Sequence, residues 1–295
     1  MDIVHHAFIG GAGYLAATAG NHDLFGFSFV AASVFPDLDV FFMLAGKRFY
    51  LRNHQAITHS LLLMPVYALA ISALLSYPLG LGFSWALFFG ALAGLSVHIV
   101  LDWTNTFRIA LLLPASFRRF SLDAVFFIDA VAWTLTGLFY LFFGVFAYRP
   151  ALFLYPLLFA AYIAAKLAIR RMVINEIRPK FAIPSSLNPF AFYILKKDGG
   201  PFNAYLYNAL TKKRTNEKTF DAVEDKYIDM SRQSQVFKDM QHILRALFIT
   251  KVTGGSNGTT IIADDIAVRN VGGRFGRTQL VFDQDDRLVD EVANI

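Results

Sequence analysis

The chain has 295 residues, of which 56% are hydrophobic, 16% aromatic and only 17% charged, against about 45–50% apolar and about 25% charged in ordinary soluble proteins. This balance excludes a disordered chain and argues against a wholly water-soluble one. The lack of cysteine excludes disulfides, thiolate metal sites, iron–sulfur clusters and a cysteine nucleophile. A net charge of +5 suits the basic loops of a membrane protein, and with no nucleic-acid module or phosphate-binding glycine loop in the sequence, no nucleic-acid partner is expected.

The charges divide the chain. Residues 1–173 carry 10 Lys+Arg and 7 Asp+Glu, whereas residues 174–295 carry 17 and 15. The expected fold is an all-α polytopic membrane domain followed by a small soluble α+β domain. In chain order, the apolar stretches 7–19 and 24–35 predict two shorter N-terminal helices. The runs Leu61–Tyr77, 83–101, 124–147 and 150–169 predict four long transmembrane helices, each near the roughly 20 residues a bilayer core requires. The N-terminal MDIVHHAF has no basic region of the kind that opens a signal peptide and is expected to be retained. The predicted division is a membrane domain over 1–175, a Pro- and Gly-containing linker and entry segment over 176–203, and a soluble domain over 204–295. Within the last, Val236, Met240, Ile243, Leu244 and Leu247 recur at helical spacing in 233–248, while 259–268 and 277–283 read as a hairpin around NVGGRFG.

Lys/Arg content orients the helices. Segments 46–57, 104–122 and 170–180 hold ten Lys or Arg, and the alternate connections hold only Arg149. The asymmetry predicts that the first group, and the C-terminal domain, face the cytoplasm of an integral, multi-pass inner-membrane protein.

Six of the seven histidines precede residue 99, and ionisable groups in apolar segments are costly enough to mark interior sites. His98 and Asp102, four apart, share one helix face and are able to chelate one ion. Asp37 and Asp39 follow Pro36 at the end of an apolar run, a pattern that serves either a hard cation or a simple turn. His54 and His59 bracket NHQAITHS, where Thr58 or Ser60 is placed to cap the next helix. His6 opens the first helix and Asp123 the fifth. With alternating helices, all of these fall at one membrane face. A His/carboxylate centre without cysteine suits zinc first, with manganese or iron as alternatives. His22 and His242 are expected outside this site.

The motifs HAFIG (6–10), FPDLD (35–39), HQAITHS (54–60), HIVLD (98–102) and LLPASFRRFSLDAVFFID (112–129) resemble the YdjM-type inner-membrane proteins, predicted to be metal-dependent hydrolases. The resemblance covers roughly residues 1–170, with a looser likeness through NPFAFY at 188–193. Gln55 departs from it where Arg usually follows the His, and Ala130 departs where Pro is common. The resemblance implies a distant likeness to zinc-dependent phospholipase C. It further implies His6, Asp37, His54, His98 and Asp102 as metal ligands, Asp39 and His59 as ligands or orienting groups, and weaker roles for Asp123 and Asp129.

The leading expectation is a membrane hydrolase of a phosphate ester or phosphodiester, acting on a phospholipid or other lipid phosphate at the cytoplasmic face. In it Asp39 would accept the proton of water, with His59 and Asp123 beside it, and Arg118 or Arg119 would meet anionic headgroups or serve only topology and lipid anchoring. The alternative is a non-enzymatic membrane protein with a structural metal site and a partner-recruiting domain. Metal transport ranks last, because polar residues do not continue through the apolar runs.

Overall fold

The computed structural model describes residues 2–18, 23–197, 199–244, 246–255, 258–267 and 276–294, which divide into two units, Met1–Leu167 and Ala168–Ile295. The first unit opens with α1 (Ile3–Thr18) and α2 (Leu24–Val34). The Asp23 carboxylate accepts the Gly26 N–H at 2.7 Å and so caps α2. The chain does not stop at Pro36, as the short-helix expectation for 24–35 required. It continues as 3-10 turns over Phe35–Ala45, giving an apolar run of 22 residues from Leu24 to Ala45. Pro36 lies in the first turn of this segment, where a missing N–H is tolerated, and the buried Asp39 faces inward.

α3 (Lys47–Asn53), a single 3-10 turn (Ile57–His59) and α4 (Met64–Ser76) follow, with the path bent by 86° between Lys47–His59 and Met64–Ser76. No side chain caps α4. The expected cap from Ser60 is replaced by a hydrogen bond from its Oγ to the Leu113 carbonyl. Next come α5 (Trp85–Thr104), capped by Ser84, then α6 (Ala130–Tyr140), which ends in a π-turn over Leu141–Val145, and α7 (Ala151–Ile177). Among the described residues three helices are long and apolar enough to cross a membrane: Leu24–Ala45, Trp85–Thr104 and Ala151–Ile177. A fourth exists only if the bent pair counts as one span. The expected span over 124–147 is corrected. Its helix starts only at Ala130, where Asp129 caps the N–H groups of Val131 and Ala132. The N–H groups of Ala124 and Val125 are spent instead on the Thr104 carbonyl, at 2.8 and 3.2 Å.

Small residues bring α2 and α5 together. A Cβ at Gly90 would overlap the Phe25 carbonyl oxygen and Ser28 Oγ, and one at Gly94 would overlap the Phe29 carbonyl oxygen. The G-x-x-x-G spacing therefore lets the two backbones touch, as small residues do between membrane helices. This crossing places the FPDLD turns against the C-terminal half of α5. Gly10 of α1 meets Ser33 of α2 in the same manner.

The second unit is richer in sheet than the expected α+β domain. β1 (Phe181–Pro184), β2 (Ala191–Lys197), β3 (Phe202–Asn208) and β4 (Arg214–Phe220) form one antiparallel sheet in sequential order. The segment 176–203, read from sequence as a linker, thus holds the end of α7 and two strands. Val173 and Ile177 of α7 bury against Phe192, Ile194, Tyr205 and Tyr207 of this sheet. α8 (Asp225–Ser231) and α9 (Gln235–Ile243) lead into β5 (Leu247–Gly255), β6 (Gly258–Asp265), β7 (Arg277–Phe282) and β8 (Leu288–Asn294), again antiparallel in order. The expected hairpin is the β6–β7 pair, with Thr260 opposite Val281; residues 270–275 of its NVGGRFG connection lie outside the described residues. α9 ends at Ile243, so Leu247 belongs to a strand rather than to the predicted helix.

Candidate metal centre

Four side chains from three chain segments converge inside the first unit. Asp37 comes from the 3-10 turns after α2, His59 from the turn before α4, and His98 and Asp102 from one face of α5. One donor atom of each lies within 4.8 Å of the others. His59, His98 and Asp102 are fully buried, and the Asp37 side chain is 11% exposed. Asp102 Oδ2 stands 3.1 Å from His59 Nε2 and 3.4 Å from His98 Nε2, and Asp37 Oδ1 stands 3.7 and 3.6 Å from the same two nitrogens.

Donor bookkeeping shows what this group needs. His98 Nδ1 lies 2.7 Å from the Ser33 carbonyl oxygen, which can only accept, so the proton of a neutral His98 is on Nδ1 and its Nε2 offers a bare lone pair. That lone pair faces His59 Nε2 at 3.2 Å and two carboxylates. Asp37 Oδ2 is buried with no hydrogen-bond partner. Two carboxylates and two imidazole nitrogens gathered away from water call for a positive charge among them, and the donor set matches zinc as well as manganese or iron.

Around the four, a second layer fixes their orientation. His6 Nε2 lies 3.0 Å from the other Asp102 oxygen, and the His6 ring stacks on His98 at 3.8 Å between centroids. Asp39, 1% exposed, points to the loop instead of the cluster. His54 Nδ1 donates to its Oδ1 at 2.8 Å, and the Gln55 N–H and the Thr58 hydroxyl donate to its Oδ2 at 2.8 and 3.2 Å. Gln55 reaches Asp39 from a left-handed backbone, φ 53°. The loop itself is held by Arg119, which donates to the carbonyls of His54, Arg108 and Arg52. Burial brings the Arg119 guanidinium down to about 10, with Asp39 pulling the other way, so it stays charged at neutral pH. Tyr67 pins the 57–59 turn by donating to the Ile57 carbonyl at 3.0 Å.

The structure thus gathers Asp37, His59, His98 and Asp102 around one point, with His6 on the far oxygen of Asp102, Asp39 linked to His59 through the Thr58 hydroxyl, and His54 bonded to Asp39. Asp123 is not in the group. It is buried next to the end of α5, where its neighbours Leu122 and Ala124 donate to Trp103 and Thr104, and its carboxylate accepts the Ser121 hydroxyl. Asp129 caps α6 and accepts the Tyr162 hydroxyl. His5 stacks on Trp133 and bonds Thr136; His242 lies in α9 of the other unit, and His22 lies outside the described residues. Sequence reasoning missed the Ser33 carbonyl, the Gln55 N–H and Arg119 as supports. Only the Gly90–Gly94 spacing carried an advance signal, for the crossing.

The profile of the YdjM inner membrane protein family matches residues 1–173. The chain belongs to that family. The match takes in every helix that supplies a residue to the cluster and stops within α7, so the two sheets lie beyond it. Family membership and the three candidate spans make this an inner-membrane protein. No curated protein and no solved structure matches the chain.

Proposed function

We propose that the protein is a membrane-embedded, metal-dependent hydrolase of a phosphate ester or phosphodiester, with a lipid-like substrate reached from the cytoplasmic leaflet. The observation that carries the reading is the buried Asp37–His59–His98–Asp102 cluster, whose donor atoms converge on one point with the bare Nε2 of His98 among them. A divalent ion held there, zinc by first preference, would lower the pKa of water and polarise a phosphoryl oxygen. Asp37, His59, His98 and Asp102 would hold the ion. His6 would orient Asp102, while Asp39 would serve the loop and not accept the proton of water, since both its oxygens are already engaged. Access would run past Asp37 and His54, whose side chains are 11% and 21% exposed. The cytoplasmic placement rests on Lys47, Arg48, Arg52, Arg108, Arg118 and Arg119, which cluster in two loops joined to each other by Ala110 N–H to Gln55 O and Leu61 N–H to Leu111 O.

One observation favours a second reading. Four protein donors are enough to close a tetrahedral zinc site, the arrangement of structural rather than catalytic zinc. The two readings separate in one experiment. The purified full-length protein is stripped with chelator, reloaded with zinc, manganese or iron, and offered a chromogenic phosphodiester and phospholipid vesicles. Turnover that vanishes on stripping, returns on reloading and is lost in Asp102→Asn supports the hydrolase. Tightly held metal with no turnover of either substrate leaves the structural site.

A further inference from the structure

Resting on the metal reading above, we propose that Thr58 is a positioning residue whose hydroxyl holds His59 in its metal-ligating tautomer. Thr58 Oγ1 lies 3.0 Å from His59 Nδ1 and 3.2 Å from Asp39 Oδ2. The direct imidazole–carboxylate contact, His59 Nδ1 to Asp39 Oδ2, is longer at 3.7 Å, beyond hydrogen-bond range. The hydroxyl therefore stands between the two. A hydroxyl has one proton to give. Given to the Asp39 carboxylate, which only accepts, it leaves Thr58 Oγ1 to accept from His59, so the ring carries its proton on Nδ1. Nε2 is then bare and faces Asp37, His98 and Asp102.

This arrangement is not a helix cap. α4 begins at Met64 with no side-chain cap, and both partners of the Thr58 hydroxyl belong to the site. The turn that carries Thr58 is fixed on its other side by the Tyr67 hydroxyl on the Ile57 carbonyl. His98 has its tautomer set by a backbone carbonyl, which no substitution at that position can remove. For His59 the same task falls to a side chain, and one substitution reaches it.

The test uses full-length protein in detergent, stripped and titrated with zinc against a competing chelator. Groups that orient a ligating histidine typically change metal affinity by about 10- to 100-fold, and that loss is expected for Thr58→Val, which keeps the shape and deletes the hydroxyl. Thr58→Ser restores the hydroxyl and is expected to bind within about threefold of wild type, since the orienting bond is retained. Nitrogen-15 histidine spectra of the zinc-loaded wild type are expected to show His59 protonated at Nδ1. If Thr58→Val does not fold, the Ser variant and the spectrum decide. Wild-type affinity in Thr58→Val, equal losses in Val and Ser, or a His59 proton on Nε2 in the loaded protein each overturn the assignment of Thr58 while leaving the metal site standing. A folded wild type that takes up no zinc overturns the metal reading itself.

Discussion

The crossing of α2 and α5 sets the site, and Gly94→Ala is the substitution that probes it. The added methyl would overlap the Phe29 carbonyl oxygen and come within 3.1 Å of Ala32 Cβ. Neither is the end of a flexible side chain, so the helices must separate. Overpacking of this kind costs about 1–3 kcal/mol, partly offset by the gain of about 1 kcal/mol for replacing Gly in a helix. Gly137 in α6 is the control, because nothing lies within 4 Å of its Cβ position and Gly137→Ala should gain about 0.5–1 kcal/mol. Gly94→Ala should therefore melt below Gly137→Ala, at about 2–4 °C per kcal/mol of difference. A second consequence follows from position: His98 is one turn beyond Gly94, with its Nδ1 2.7 Å from Ser33 O. A separation of about 1 Å would carry that bond beyond hydrogen-bond range and free the ring, lowering zinc affinity as well. Circular dichroism melts in detergent and chelator competition read both effects. If Gly94→Ala melts as high as Gly137→Ala and binds zinc like wild type, the close crossing is not what positions His98.

Arg119→Ala should loosen the loop that carries His54 to Thr58, because it removes three donor contacts to the carbonyls of His54, Arg108 and Arg52; faster hydrogen exchange over 52–60 and a zinc affinity weakened about tenfold are expected, and unchanged exchange there would count against the role. Asp265 in the second unit is lifted by burial from 3.8 to about 6. Its folded form favours the proton, so stability is full below pH 4, falls as pH rises towards 6 by up to about 3 kcal/mol, and is level above; Asp265→Asn should flatten this slope in intrinsic-rate-corrected exchange of β5–β7, and a wild type with no slope would refute it. For sidedness, Phe117→Cys and Arg52→Cys, both exposed, should react with an impermeant thiol reagent only once the membrane is opened, while Gly82→Cys reacts in intact spheroplasts; labelling of residues 52 and 117 from opposite sides would separate the loops that Arg119 joins.

Much of the site was legible because burying an ionisable group in lipid is costly, so each of the few histidines and carboxylates before residue 103 had to have a reason. His98 and Asp102 share a face by helical period, and Asp37 with Asp39 and His54 with His59 stood out as pairs in apolar sequence, with His54 expected as the ligand and His59 beside it. The split between His54 and His59 was not legible. Spacing makes them equivalent, and only the left-handed turn at Gln55 directs one ring to Asp39 and the other inward. Likewise the two carboxylates of FPDLD part company because both lie in the 3-10 segment, where residues two apart point to different sides, about 240° around the axis. The overlong span at 124–147 was misread because its hydropathy continues through Asp129, whereas the helix start is decided by capping and by the Thr104 carbonyl. In the C-terminal unit the β6–β7 alternation was plain, but β1 and β2 were hidden by Pro184, Pro189 and Gly199-Gly200, which bound strands as readily as they mark a linker.

The central claim is that this membrane unit holds a metal in a His/Asp cage, and elemental analysis of the purified full-length protein tests it most directly. Wild type prepared with zinc supplementation and without chelator should carry at least one equivalent of zinc, manganese or iron per chain. Asp102→Asn, which weakens one oxygen facing His59 and His98, should carry markedly less at equal folding by circular dichroism. A well-folded wild type with no transition metal, or an Asp102→Asn variant that retains the full amount, would contradict the account.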